Sequence, residues 1–165
     1  MTEVVLRCVL DASVGIKLFI EEEFSDRVHR IFTKLAEDPQ AEIHVPDLFY
    51  IECANILLKY TRRFERPLED SIADIRDLGK LDLKIISTAE LIEDALKLAN
   101  RTNLTAYDAC YAVLAQKLSL PLVTADGHLS DAIGWAIWIG DIEMQNIISY
   151  GYDVLLCIKN ELNSI

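Results

Sequence analysis

The chain has 165 residues, 52% hydrophobic and 26% charged, which excludes a disordered or collagen-like polymer and allows one domain with a real core over residues 1–165. Asp and Glu number 27 against 16 Lys and Arg, and the net charge of −11 excludes a protein that coats nucleic acid by bulk electrostatics. An enzyme that reaches phosphates through a bound cation stays open.

The longest uncharged apolar run, Ile133 to Gly140, is too short to cross a bilayer. The N-terminus carries Glu3 and Arg7 among its apolar residues and lacks the layout of a signal peptide. A cytoplasmic location is expected. The four cysteines, Cys8, Cys53, Cys110 and Cys157, are scattered among apolar neighbours with no Cys-x-x-Cys pair, as buried free thiols in a reducing compartment would be.

Val4 to Leu10 is short, apolar and rich in Val, and reads as a buried strand ending at Asp11. A helix is expected from about Ser13, with Ser25 as a cap for the next. In that second helix Val28, Ile31, Phe32 and Leu35 form an amphipathic stripe. Ile43 to Pro46 reads as a strand, and Pro46-Asp47 opens a helix to about Arg63, acidic at its start and basic at its end. Pro67 starts another, with Leu68, Ile72, Ile75 and Leu78 as its apolar positions, and Leu83 to Ile86 reads as a strand.

Ser87 with Glu90 forms a capping box for a helix over Thr88 to Arg101, and Thr105 with Asp108 repeats it before Ala109 to Leu118. Pro121 to Thr124 and Trp135 to Ile139 read as strands. Short buried strands alternating with amphipathic helices predict an α/β fold, three layers with a mainly parallel central sheet. The segment from Asp141 is ambiguous, and Val154 to Ile158 reads as strand or helix. The apolar surface of Ile133 to Ile139 and of the tail around Leu155 needs cover, as in a homodimer or larger assembly.

In such sheets ligands collect outside the carboxyl ends of the strands. Asp11 and Asp126 fall at such ends. Asp108 falls in the first turn of its helix, and Glu52 lies within the apolar stretch Leu48 to Leu58. Each acid alone reads as a cap, turn or surface residue; four at the strand ends and helix starts of one sheet point to a site.

Val9-Leu10-Asp11-Ala12-Ser13, Glu52-Cys53-Ala54-Asn55, Tyr107-Asp108-Ala109-Cys110-Tyr111-Ala112 and Leu122-Val123-Thr124-Ala125-Asp126 resemble, in order, the motifs of PIN domains, with the nearest likeness to VapC-type ribonuclease toxins. The resemblance covers roughly residues 4 to 140. It implies a parallel sheet between helices and metal-dependent cleavage of RNA, with Asp11, Glu52, Asp108 and Asp126 as catalytic and metal-binding acids. It also implies Ser13, Asn55 and Thr124 as companions that position substrate or water, and an antitoxin as protein partner. Four carboxylates held together repel unless a cation sits among them, and hard oxygen donors select Mg²⁺ or Mn²⁺.

The basic stretch from Lys59 through Arg62 and Arg63 to Arg66, with Tyr60 and Phe64 between, is a candidate RNA contact; its plain alternative is cations complementing a helix dipole. His29, His44 and His128 show no pattern and read as structural or surface residues. Two other functions stay open: a PIN-like interaction module with little or no catalysis, and a phosphotransfer domain using Asp11 as nucleophile. The second lacks a Lys at a later strand end.

Overall fold

The structure, a computed structural model, describes residues 5–142. Five strands, β1 (Arg7–Leu10), β2 (Glu42–Pro46), β3 (Leu83–Ile86), β4 (Leu122–Thr124) and β5 (Ile137–Trp138), form one sheet in the order β3-β2-β1-β4-β5. Every neighbouring pair is parallel. The helices are α1 (Ala12–Gly15), α2 (Ser25–Glu37), α3 (Leu48–Arg63), α4 (Leu68–Leu78), α5 (Ile92–Thr102), α6 (Ala106–Leu118) and α7 (Gly127–Ala132).

Central β1 explains the layering. Successive strand side chains point to opposite faces, yet Cys8, Val9 and Leu10 are all buried, so both faces of the sheet are covered. Helix α6 packs across β1, β2 and β4, with α5 against it, while α3 packs on α1 and α4. The expected three-layer α/β fold is present. The chain runs from β1 outward to β2 and β3, then returns to place β4 on the other side of β1. The strand order therefore switches between β1 and β4, where a sheet of this kind opens a crevice at its carboxyl edge.

Several local expectations differ from the structure. The ladder of β1 starts at Arg7, three residues later than the apolar run predicts, because Arg7 pairs with Glu42 where β2 begins. The helix expected from Ser13 is a single α-turn capped by Asp11, followed by a 3-10 turn over Ile16–Leu18. Ser25 does not cap α2: its hydroxyl donates to the Ile20 carbonyl and accepts from the Glu22 N–H, while Phe24, left-handed at φ 68°, starts the helix. Ser87 caps a 3-10 turn over Thr88–Glu90, and α5 begins only at Ile92.

Of Trp135 to Ile139 only Ile137 and Trp138 join the sheet, and the helix α7 before it went unpredicted. The apolar surface expected at Ile133 to Ile139 is reduced to Trp138, since Ile133, Trp135, Ile137 and Ile139 are core residues. Exposed apolar side chains lie instead on α3 and α4, at Ile51, Leu68 and Ile72, so two of the four positions predicted for the inner stripe of α4 face outward. The readings of Val154 to Ile158 and of the surface around Leu155 fall outside the described residues. Among the described residues no helix is long and apolar enough to cross a membrane.

Candidate active site

The end of β1 is tied to the end of β4 through one carboxylate. Asp11 leaves the strand in an extended conformation and caps α1, accepting from the Val14 N–H at 3.2 Å. The Ser13 hydroxyl donates to Asp11 Oδ1 at 2.6 Å, and the Thr124 hydroxyl donates to Oδ2. Each hydroxyl also accepts a backbone N–H from the β4 side, Ser13 from Ala125 and Thr124 from Asp126, both at 2.9 Å. Both oxygens of Asp11 are thereby held, Oδ1 from α1 and Oδ2 from β4.

At 5% exposure, Asp11 pays for this position. Burial pushes its carboxyl from 3.8 up to about 6, against the hydrogen bonds from Ser13, Thr124 and Val14, and the Asp126 charge adds to the rise. Asp126 itself caps α7, accepting from His128 N–H at 2.8 Å and Leu129 N–H at 3.4 Å.

Glu52 arrives from another layer. Helix α3 can lie close to α1 because Gly15 has no side chain: a Cβ there would stand 2.5 Å from the Phe49 ring, one turn before Glu52. Burial raises the Glu52 carboxyl, the Tyr111 hydroxyl bonded to its Oε2 lowers it, and the Asp108 charge raises it again. Asp108 sits in the first turn of α6, where Thr105 accepts from its N–H at 3.1 Å and donates to its carboxylate at 2.6 Å.

These elements meet in one open cleft of about 480 Å³, lined by Asp11, Glu52, Asp108 and Asp126 together with Ser13 and Asn55. Its remaining wall is apolar and aromatic, with Ile51, Ile56, Tyr107 and Tyr111. Thr124 does not line it; this residue lies beneath, fully buried. Lys59, Arg62 and Arg63 are outside the cleft as well, exposed on α3. Their spacing of three to four residues continues the face that carries Glu52 and Asn55. At 1.5 Å per residue, Lys59 stands about 10 Å along the helix from Glu52. Arg66, the next cation, is engaged by Asp74. None of the three histidines lines the cleft, and His128 touches it only through its backbone N–H to Asp126.

Tyr107 and Tyr111 do not stand out in the sequence as site residues, although both belong to the Asp108 motif. Their separation of four residues on one helix was the available signal, since it puts the two rings on one face, and Tyr111 stands three residues after Asp108. Asp47 gives the contrast: it also follows a strand, but its carboxylate is engaged by the Thr88 N–H and hydroxyl, which hold it below the usual range. Cys53 and Cys110 are buried near the acids, and burial raises both thiols, Cys110 to about 11, so neither supplies a thiolate.

The donor set is one of hard oxygens, which suits a divalent cation of the Mg²⁺ kind. Among the described residues no three acid, His or Cys side chains converge into a closed ligand set. The fit is therefore to an ion that keeps several of its own waters and takes one or two carboxylates directly.

A parallel α/β sheet with carboxylates gathered where its strand order switches defines an acid-cleft domain of the kind that works on phosphoesters. The PIN domain matches over residues 8–133, and the chain belongs to that family. It is 34% identical over 129 residues to "Ribonuclease VapC3" of Pyrobaculum aerophilum, covering 76% of this chain and 94% of that protein. The fold is shared with the crystal structure of PAE2754 from Pyrobaculum aerophilum, at a TM-score of 0.65 and 21% identity over 90% of each chain. It is also shared with a chain of a toxin–antitoxin complex from Klebsiella pneumoniae, at a TM-score of 0.51 and 18% identity, covering 72% and 86%.

Proposed function

We propose that the protein is a divalent-metal-dependent endoribonuclease, the toxin of a toxin–antitoxin pair, with Mg²⁺ or Mn²⁺ as its ion. One observation carries this reading: carboxylates from the β1 end, α3, α6 and the β4 end line a single cleft, and two of them are pushed up by burial and by a neighbouring acid, Asp11 by Asp126 and Glu52 by Asp108. Such a cluster is costly without a cation. A divalent ion supplies charge neutralisation at a phosphate and an activated water. Asp11, Glu52, Asp108 and Asp126 would hold it.

Asp11 acts as a rigid anchor, because hydroxyls from α1 and β4 fix both its oxygens. The Ser13 hydroxyl and the Asn55 amide, at the cleft wall, would orient water or a phosphate oxygen. Lys59, Arg62 and Arg63 would take the phosphates of the strand as it leaves along α3. The relative's name and the toxin–antitoxin neighbour support RNA as substrate and an antitoxin as partner. A homodimer working in the cytoplasm completes the proposal, and sedimentation of the protein alone and with a co-expressed partner checks the assembly.

The test of function is cleavage of a mixed RNA pool with Mg²⁺, with Mn²⁺ and with chelator, beside Asp108→Asn. Cleavage should need the ion and fall by at least about two orders of magnitude in the variant, the scale of losing one positioned electrostatic or acid–base group. Undiminished cleavage in chelator or by the variant refutes the reading.

A further inference from the structure

We infer that Tyr111 is a positioning residue: its buried hydroxyl, donated to Glu52 Oε2, fixes that carboxylate for the cation. The inference rests on the reading of Glu52 as a metal ligand.

Asp126 and Asp108 are each held by groups of their own turn, the N–H pair at the start of α7 and the Thr105 cap. Asp11 adds a donor from across the sheet. Glu52 has no such local help. It is the fifth residue of α3, beyond the first turn, where backbone N–H groups are already committed to the helix. A glutamate there has three side-chain torsions and loses affinity as a ligand if they are free to wander. The donor the structure provides is Tyr111, 59 residues away in sequence.

Tyr111 can serve because its ring is packed into the core. It is 1% exposed and among the largest fully buried side chains of the core, while its hydroxyl still reaches the cleft wall. It stands one turn after Asp108 on α6, so one rigid helix face presents one acid and holds the other. A buried phenol needs an acceptor in any case. A backbone carbonyl would satisfy that need; here the acceptor is a carboxylate lining the cleft, the arrangement by which outer groups orient metal ligands.

The experiment is calorimetric titration of Mn²⁺ alone into the parent, Tyr111→Phe, Glu52→Gln and the double variant. Phe keeps the ring and removes the hydroxyl, and Gln keeps an acceptor for Tyr111 while removing the charge. Tyr111→Phe should weaken Mn²⁺ binding about tenfold, the lower end of what losing such a partner costs. Glu52→Gln should weaken it at least as much, and adding Tyr111→Phe to Glu52→Gln should cost nothing more, because the hydroxyl acts only through the charge. Parent affinity in Tyr111→Phe with a weakened Glu52→Gln overturns the inference and leaves the metal site standing. Parent affinity in Glu52→Gln overturns both. Equal losses from Tyr111→Phe in the two backgrounds reveal a merely structural tyrosine and overturn the inference. Metal-free melts verify that each variant is folded, and a stabilising osmolyte supplies the same comparison for one that is not.

Discussion

Replacing Asp11 by Asn should stabilise the metal-free protein at neutral pH. The Asp11 carboxyl ionises at about 6 in the folded chain against an ordinary 3.8, so the proton binds the folded state more tightly. The protein is favoured below about pH 4 and loses that advantage as pH rises through 6. The gap corresponds to about 3 kcal/mol of destabilisation by the ionised group above pH 6. Asn removes the charge, but its amide must face one of the two hydroxyls that now donate to Asp11, and that bond has to turn round. Subtracting about 1 to 2 kcal/mol for the rearrangement leaves a gain of about 1 to 2 kcal/mol, or about 2 to 8 °C for a domain of this size. Thermal melts in chelator between pH 4 and 8 read it directly: the variant should lead most above pH 6, and the curves should cross as pH falls toward 4, where the parent carboxyl is protonated and only the cost of the Asn rearrangement remains. Adding Mn²⁺ should narrow or invert the difference, because the parent gains more from binding. A variant no more stable than the parent at pH 7.5, or a difference that ignores pH, refutes the argument.

Charge reversal at Arg62 and Arg63 should weaken RNA binding and reduce its salt slope by about 0.7 for each single-strand phosphate that is no longer neutralised, while leaving melting temperature nearly unchanged; an unchanged slope in filter binding returns both residues to the helix dipole. Gly15→Ala puts a methyl group against the buried Phe49 ring, and the overpacking should destabilise the fold by about 1 to 3 kcal/mol in urea unfolding. Because α1 and α3 carry Asp11 and Glu52 on either side of that contact, Mn²⁺ affinity should fall with it, and a neutral substitution on both counts refutes the role assigned to the close approach.

Local sequence chemistry determined much of this protein. Short runs such as Leu122-Val123-Thr124 could satisfy their backbones only as buried strands, and Thr105 before Asp108 fixed the start of a helix through a bond three residues long. The four acids were legible because each stands at a strand end, a helix start or an apolar helix face. Tertiary structure decided what those acids touch. Only the strand order places β4 beside β1 and so lets Thr124 reach Asp11, 113 residues away. Only the approach of α6 to the cleft gives Glu52 its phenol. The physical reason is the range of the forces. Periodicity and capping act within a turn or two of helix and can be read from neighbours, whereas the partners of a buried carboxylate follow from which apolar faces cover one another, a property of the whole core.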